Sequence, residues 1–183
     1  SHVLSPYYVE GTKTFAYEIA KQFDFDIPEN IVFPVGNGSL IIGCWKGLNE
    51  LFNNKKIDKI PRLHCVQADQ FIPVIQEISG DFGENSLKNP YSVAGRISVS
   101  FPARKNEIAE IVNSSFGKGV SVSDEEIIEW QKFLARREGI FCEPTSATVF
   151  AGLKKLFDSR EIESEDSVLV PITGFGLKDK LFV

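Results

Sequence analysis

The stretch from Ile31 to Phe52, "IVFPVGNGSLIIGCWKGLNELF", carries the reading of the fold. Its first five residues are apolar and mostly β-branched or aromatic, and they read as a short buried strand. Gly36, Asn37 and Gly38 then break the run, and from Ser39 the apolar residues return in the pattern of a helix. A chain that passes from strand to helix through so tight a turn leaves the first helical N–H groups without intrahelical partners. The amides of Gly36, Asn37, Gly38, Ser39 and Leu40 then converge where the helix dipole also favours negative charge, so the stretch is a candidate anion cup. It is not a G-x-G-x-x-G fingerprint, because Gly43 follows Gly38 by five positions, and no G-K-[ST] follows to make a P-loop. A tight turn with no ligand satisfies the same spacing.

The flanking sequence continues the alternation. Phe15, Ile19 and Phe23 recur at fourfold spacing and predict an amphipathic helix over 12–23, with the turn-rich "DFDIPEN" after it. Downstream, "RLHCVQA" (62–68) reads as a strand and "QFIPVIQEI" (70–78) as a short helix with Pro73 in its first turn. A looser polar stretch covers 79–92, followed by a helix over 103–114 and a strand over 117–123. Ser123 and Glu126 form a capping box that opens a helix over 124–139, and Arg136, Arg137 and Gly139 close it. Residues 140–157 read as a strand-like start and another helix, and 166–176 as a last strand ending in a second glycine turn. Strands separated by helices, apolar throughout rather than alternating, imply an α/β fold: a three-layer α/β/α domain with a mainly parallel sheet.

With 183 residues, of which 43% are hydrophobic and 25% charged, the chain suits one domain, 1–183, around one core. The net charge of -5 argues against a nucleic-acid surface or a polybasic membrane anchor, since Lys55-Lys56 and Arg136-Arg137 are only local pairs. Cys44, Cys65 and Cys142 are widely spaced inside apolar runs and read as reduced core thiols, which together with the lack of a spanning or signal segment makes the cytoplasm the expected location. The opening "SHVLS" reads as a tag scar or domain boundary over 1–4, with the expectation that the chain is a piece of something longer.

Ligands of parallel sheets bind at the carboxyl ends of the strands, which singles out the loop at Gly36 and the loop "TGFGLKD", where Thr173 ends the last strand. Several other residues have plainer readings. His64 lies inside an apolar strand and His2 in the suspected scar, with no metal partners at ligand spacing. Trp45 and Trp130 fit apolar helix faces. Glu143 reads equally as a ligand contact and as the cap of the helix after it.

Taken together and in order, "EGTKT", "GNGS", "SDEEI…ARREGIFCEPTSA" and "TGFGLKD" resemble the C-terminal part of threonine synthase, a family of the fold type II, tryptophan-synthase-β-like enzymes that use pyridoxal 5'-phosphate. The resemblance covers nearly the whole chain. It implies the large cofactor-binding domain of a longer enzyme, with Gly36, Asn37, Gly38, Ser39 and Leu40 holding the cofactor phosphate and Thr173 hydrogen-bonding the pyridine nitrogen. It implies a lyase that takes O-phosphohomoserine and water to threonine and phosphate, a homodimer, and an amino-acid substrate as partner, with no nucleic acid or membrane. A neutral hydroxyl at the ring nitrogen, unlike a carboxylate, does not hold that nitrogen protonated, which suits elimination and replacement over transamination.

The sequence departs from the family pattern at two places. "SPYYVEG" puts Tyr8 where the family's N-P-x-R-x-E-G has an arginine, and a phenol cannot replace a planar cation at a dianion. Ser39 and Leu40 replace the last two residues of the family's G-N-x-G-N loop. The Schiff-base lysine of the family lies in an S-F-K-x-R-like stretch upstream of everything here, Lys13, Lys46 and Lys178 are poor substitutes, and the chain alone is expected to be inactive. A threonine or serine dehydratase-like enzyme and a non-catalytic phosphometabolite-binding module remain as alternatives.

Overall fold

A computed structural model of the chain describes residues 4–82 and 89–179. The suspected scar and His2 fall mostly outside the described residues, as does much of the polar stretch 79–92. Elements run α1 (Pro6–Thr12), α2 (Thr14–Gln22), β1 (Asn30–Pro34), α3 (Ser39–Asn53), β2 (Arg62–Ala68), α4 (Pro73–Ser79), α5 (Lys105–Ser114), β3 (Gly119–Val122), α6 (Asp124–Arg137), α7 (Pro144–Asp158) and β4 (Val168–Leu169). The four strands form one parallel sheet in the order β3-β2-β1-β4.

Successive residues of a strand point to opposite faces, and both faces are covered. Ile31, Phe33 and Val35 join Leu63 and Cys65 in a core with α1 to α5, while Val32, Val66, Ala68 and Val122 face the core made by α6 and α7. The three layers expected from the apolar, non-alternating strands are therefore present. All three cysteines are free and buried, and burial pushes the thiols of Cys44, Cys65 and Cys142 up, which makes them unreactive packing groups. Among the described residues, no helix is long and apolar enough to cross a membrane.

Three local expectations are corrected. The helix expected over 12–23 begins later, as α2 at Thr14, and a separate helix that the sequence did not suggest, α1, precedes it from Pro6 with the Ser5 side chain capping it. The strand-like "IFC" is not a strand; Cys142 makes a single antiparallel bridge to Phe175. The last strand shrinks to Val168–Leu169, because an edge strand paired only with β1 is held at its start instead, where Arg62 Nη2 lies 2.5 Å from Asp166 Oδ2 and Asn30 N–H donates to Ser167 O at 3.1 Å. The capping box at Ser123 and Glu126 and the Pro73 helix start are as expected.

His64 sits in the middle of β2, almost fully buried. Its Nδ1 accepts from the Lys118 N–H at 3.2 Å, which assigns the proton to Nε2 for the 3.0 Å bond to Asn30 Oδ1. Burial, with the nearby Arg62 charge, lowers its pKa from 6.5 to about 4. The fold therefore holds the ring neutral at pH values where the unfolded chain already takes up a proton. Stability is full above pH 6.5 and falls as pH drops toward 4, by about 3 kcal/mol over that window. Denaturant melts at pH 7, 5.5 and 4 are expected to show this slope. His64→Leu, though less stable at pH 7, is expected to lose its share of it.

Candidate functional site

The order of the strands creates the site. The chain steps from β1 outward to β2 and β3, with α3, α4 and α5 on one face. It then crosses the other face through α6 and α7 and lays β4 against the opposite side of β1. The two directions part between β1 and β4, and a crevice opens beyond the carboxyl ends of strands where the order reverses. The loops that follow β1 and β4 are the two glycine loops.

After β1, Val35 N–H still pairs with Val66 O at 2.9 Å, and then the backbone leaves the sheet. Gly36 passes so close to a neighbouring segment that an added Cβ would meet Ile97 Cα at 2.9 Å. Gly38 is left-handed, with φ at +77°, and an added Cβ would stand 2.2 Å from Ile108 Cδ1. It begins α3 without any side-chain cap. The first hydrogen bond of the helix is donated by Ile42 N–H to Gly38 O at 3.0 Å. Among the described residues, the N–H groups of Gly36 through Ile41 have no acceptor. Unpaired amides at the positive end of a 15-residue helix make a cradle for an anion.

The opposite wall comes from the loop after β4 and the start of α7. Glu143 N–H donates to Gly174 O at 3.0 Å and Gly176 N–H to Phe141 O at 2.9 Å, so this loop is stitched to the segment before α7. Ser146 Oγ accepts from Gly174 N–H at 2.9 Å and lies 3.2 Å from Thr173 Oγ1. The two hydroxyls share one hydrogen bond, which leaves one O–H to offer a ligand. Glu143 stands at the cap position of α7 yet does not cap it; its carboxylate turns to Arg96, with Nε 3.0 Å from Oε2. Thr145 Oγ1 is buried and, among the described residues, unpartnered. Such a hydroxyl is costly unless something satisfies it.

These walls enclose a cleft of about 350 Å³. The structure brings all six sequence-predicted residues, Gly36, Asn37, Gly38, Ser39, Leu40 and Thr173, to its lining, together with Tyr8, Arg96, Glu143 and Thr145. Sequence reasoning missed Arg96 and Thr145; a lone arginine inside the apolar "VAGRISV" was the available signal for the first. No lysine lines the cleft among the described residues. Lys13 and Lys46 both pair with Glu10, whose carboxyl they hold down to about 2, and Lys178 lies in a short 3-10 turn.

The family described as "Pyridoxal-phosphate dependent enzyme" matches residues 1–174. Threonine synthase of Methanocaldococcus jannaschii is 38% identical over 177 residues, which cover 96% of this chain and 44% of that protein. Threonine synthase of Methanosarcina acetivorans is 40% identical with the same coverage of both. The chain thus spans less than half the length of these curated relatives. Among solved structures, a fungal L-serine ammonia-lyase from Rhizomucor miehei superposes with a TM-score of 0.76 at 18% identity, over 94% of this chain and 53% of that one. A threonine deaminase from T.th. gives 0.72 at 19% identity, over 97% of this chain and 54% of that one. Both share the fold.

The cradle depends on Gly38 having no side chain. Gly38→Ala is expected to lower stability by about 2 kcal/mol, from the left-handed φ and the clash with Ile108 together. Ile108→Val in the Gly38→Ala background, by removing Cδ1, is expected to recover part of that loss in denaturant melts.

Proposed function

The chain belongs to the family of pyridoxal-phosphate dependent enzymes, and on that footing we propose that it carries the cofactor-phosphate cradle and the ring-nitrogen contact of a threonine synthase-like lyase acting on O-phosphohomoserine. The observation that carries the reading is that a run of unpaired amides, from Gly36 to Ile41, and the hydroxyl of Thr173 line one cleft at the reversal of the sheet. The residues fit the group. A phosphate satisfies amides that have no protein acceptor, and only glycines let the backbone pass against Ile97 and Ile108 while presenting those amides to the cleft.

When bound, the cofactor supplies an electron sink for bond breaking next to the amino-acid Cα. The rest is the work of the chain. Gly36 to Leu40 bind the phosphate through backbone amides, so the identities of Ser39 and Leu40 matter less than their N–H groups. Leu40 packs its side chain against the core beneath. Thr173, steadied by Ser146, would meet the ring nitrogen with a neutral hydroxyl, donating or accepting there without adding charge. The lysine that anchors the cofactor comes from a segment outside these 183 residues, a reading supported by the absence of lysine from the described cleft lining and by relatives more than twice as long.

Tyr8 in the cleft wall favours a second reading, elimination of a neutral hydroxyl from threonine or serine. The two are separated in the full-length protein loaded with pyridoxal phosphate. Release of inorganic phosphate from O-phosphohomoserine, with threonine left intact, is the expected result. Formation of a 2-oxo acid and ammonia from threonine or serine, with no phosphate release, would support the second reading. Thr173→Val is expected to weaken cofactor retention several-fold, read as loss of its visible absorbance on dialysis, because one ring contact is removed and the phosphate cradle is untouched.

A further inference from the structure

Arg96 lies in the segment that precedes α5, and that segment is fixed against the cradle: its backbone at Arg96 and Ile97 is what leaves no room for a Cβ on Gly36. The side chain reaches the opposite wall. Its Nε donates to Glu143 Oε2 at 3.0 Å, and the two partners are very unequally exposed, 59% for the Arg96 side chain and 3% for that of Glu143. The carboxylate is thus the buried anchor and the guanidinium the exposed head. The bond uses Nε alone. Among the described residues, neither Nη1 nor Nη2 has an acceptor, and both belong to a rigid fork suited to a carboxylate or phosphate. Arg96 is also the one cation among the described residues that line the cleft, where Tyr8 contributes only a phenol.

A pair that served only to neutralise a buried carboxylate would gain most from two-point contact with a buried guanidinium. Here a single contact holds the cation in the cleft wall and leaves both Nη groups without an acceptor among the described residues. We infer that Arg96 is the specificity-determining residue for an anionic group on the substrate side chain, held by Glu143 through Nε with both Nη groups free to take that anion. The inference rests on the reading of the cleft as the site of a phosphorylated cofactor and an amino-acid substrate. The cradle amides take the cofactor phosphate, and Arg96 takes the second anion.

The test uses full-length protein loaded with pyridoxal phosphate and measures binding of 2-amino-5-phosphonopentanoate, whose C–P bond cannot lose phosphate, against its neutral counterpart norvaline. Arg96→Gln alone strands a buried carboxylate, so the principal variant is Arg96→Gln/Glu143→Gln, which keeps the wall neutral. It is expected to lose about tenfold or more of the preference for the phosphonate, with cofactor absorbance unchanged. Arg96→Lys, which keeps charge but not the fork, is expected to lose part of the preference, and Glu143→Gln, whose amide oxygen still accepts from Nε, to keep it. A double variant with wild-type preference and normal cofactor loading overturns the assignment, and so does an equal loss in Glu143→Gln. Wild-type protein that takes up no cofactor overturns the underlying reading and the assignment with it.

Discussion

Everything at the carboxyl edge of this sheet follows from one constraint: the backbone at Gly38 must turn left-handed on top of Ile108 and start α3 with its leading amides unpaired. A side chain at Gly38 would have to enter the core, and a capping residue would consume the donors that the cleft presents. The helix therefore begins open. That openness is tolerable because the rest of α3 is well anchored, with Ile41, Ile42, Cys44 and Leu48 buried in the core it shares with α1, α2 and α5. A strand-to-helix turn of this kind is stable only where burial behind it offsets the missing hydrogen bonds ahead of it.

The second wall is organised differently. Backbone pairing between the Thr173 loop and the segment before α7 fixes a row of polar side chains there. Gly174 is the counterpart of Gly38 there, since an added Cβ would stand 2.1 Å from the Glu143 carboxyl carbon. The carboxylate that a simple helix start would spend on capping is thereby packed under the loop and left to face Arg96. One wall thus offers amides, the other hydroxyls and an ion pair, and the pair brings no net charge to the cleft.

The opposite edge of the sheet is built for stability rather than binding. Asn30, His64, Arg62 and Asp166 tie β1, β2 and the start of β4 together, and Glu29 and Ser167 add a further pair of bonds. This is why a strand of only two residues can still place the Thr173 loop: its start is held by charge-assisted bonds, and its end by the bridge at Phe175.

Much of this was legible along the chain. The strand at Ile31, the glycine turn, the helix from Ser39, the capping box at Ser123 and the proline start at Pro73 are all local matters of periodicity and backbone conformation, which neighbouring residues specify. The same is true of the parallel sheet, because strands buried on both faces show no alternation. What local pattern could not supply was the strand order and hence the meeting of two loops about 135 residues apart, Gly36 to Leu40 and Thr173. The loss of the "IFC" strand, the turn of Glu143 away from its cap, and the arrival of Arg96 and Thr145 in the cleft are likewise settled by distant contacts. Sequence periodicity reports which face of an element is apolar; which other element covers that face depends on three-dimensional packing, and so does the company that each polar side chain keeps.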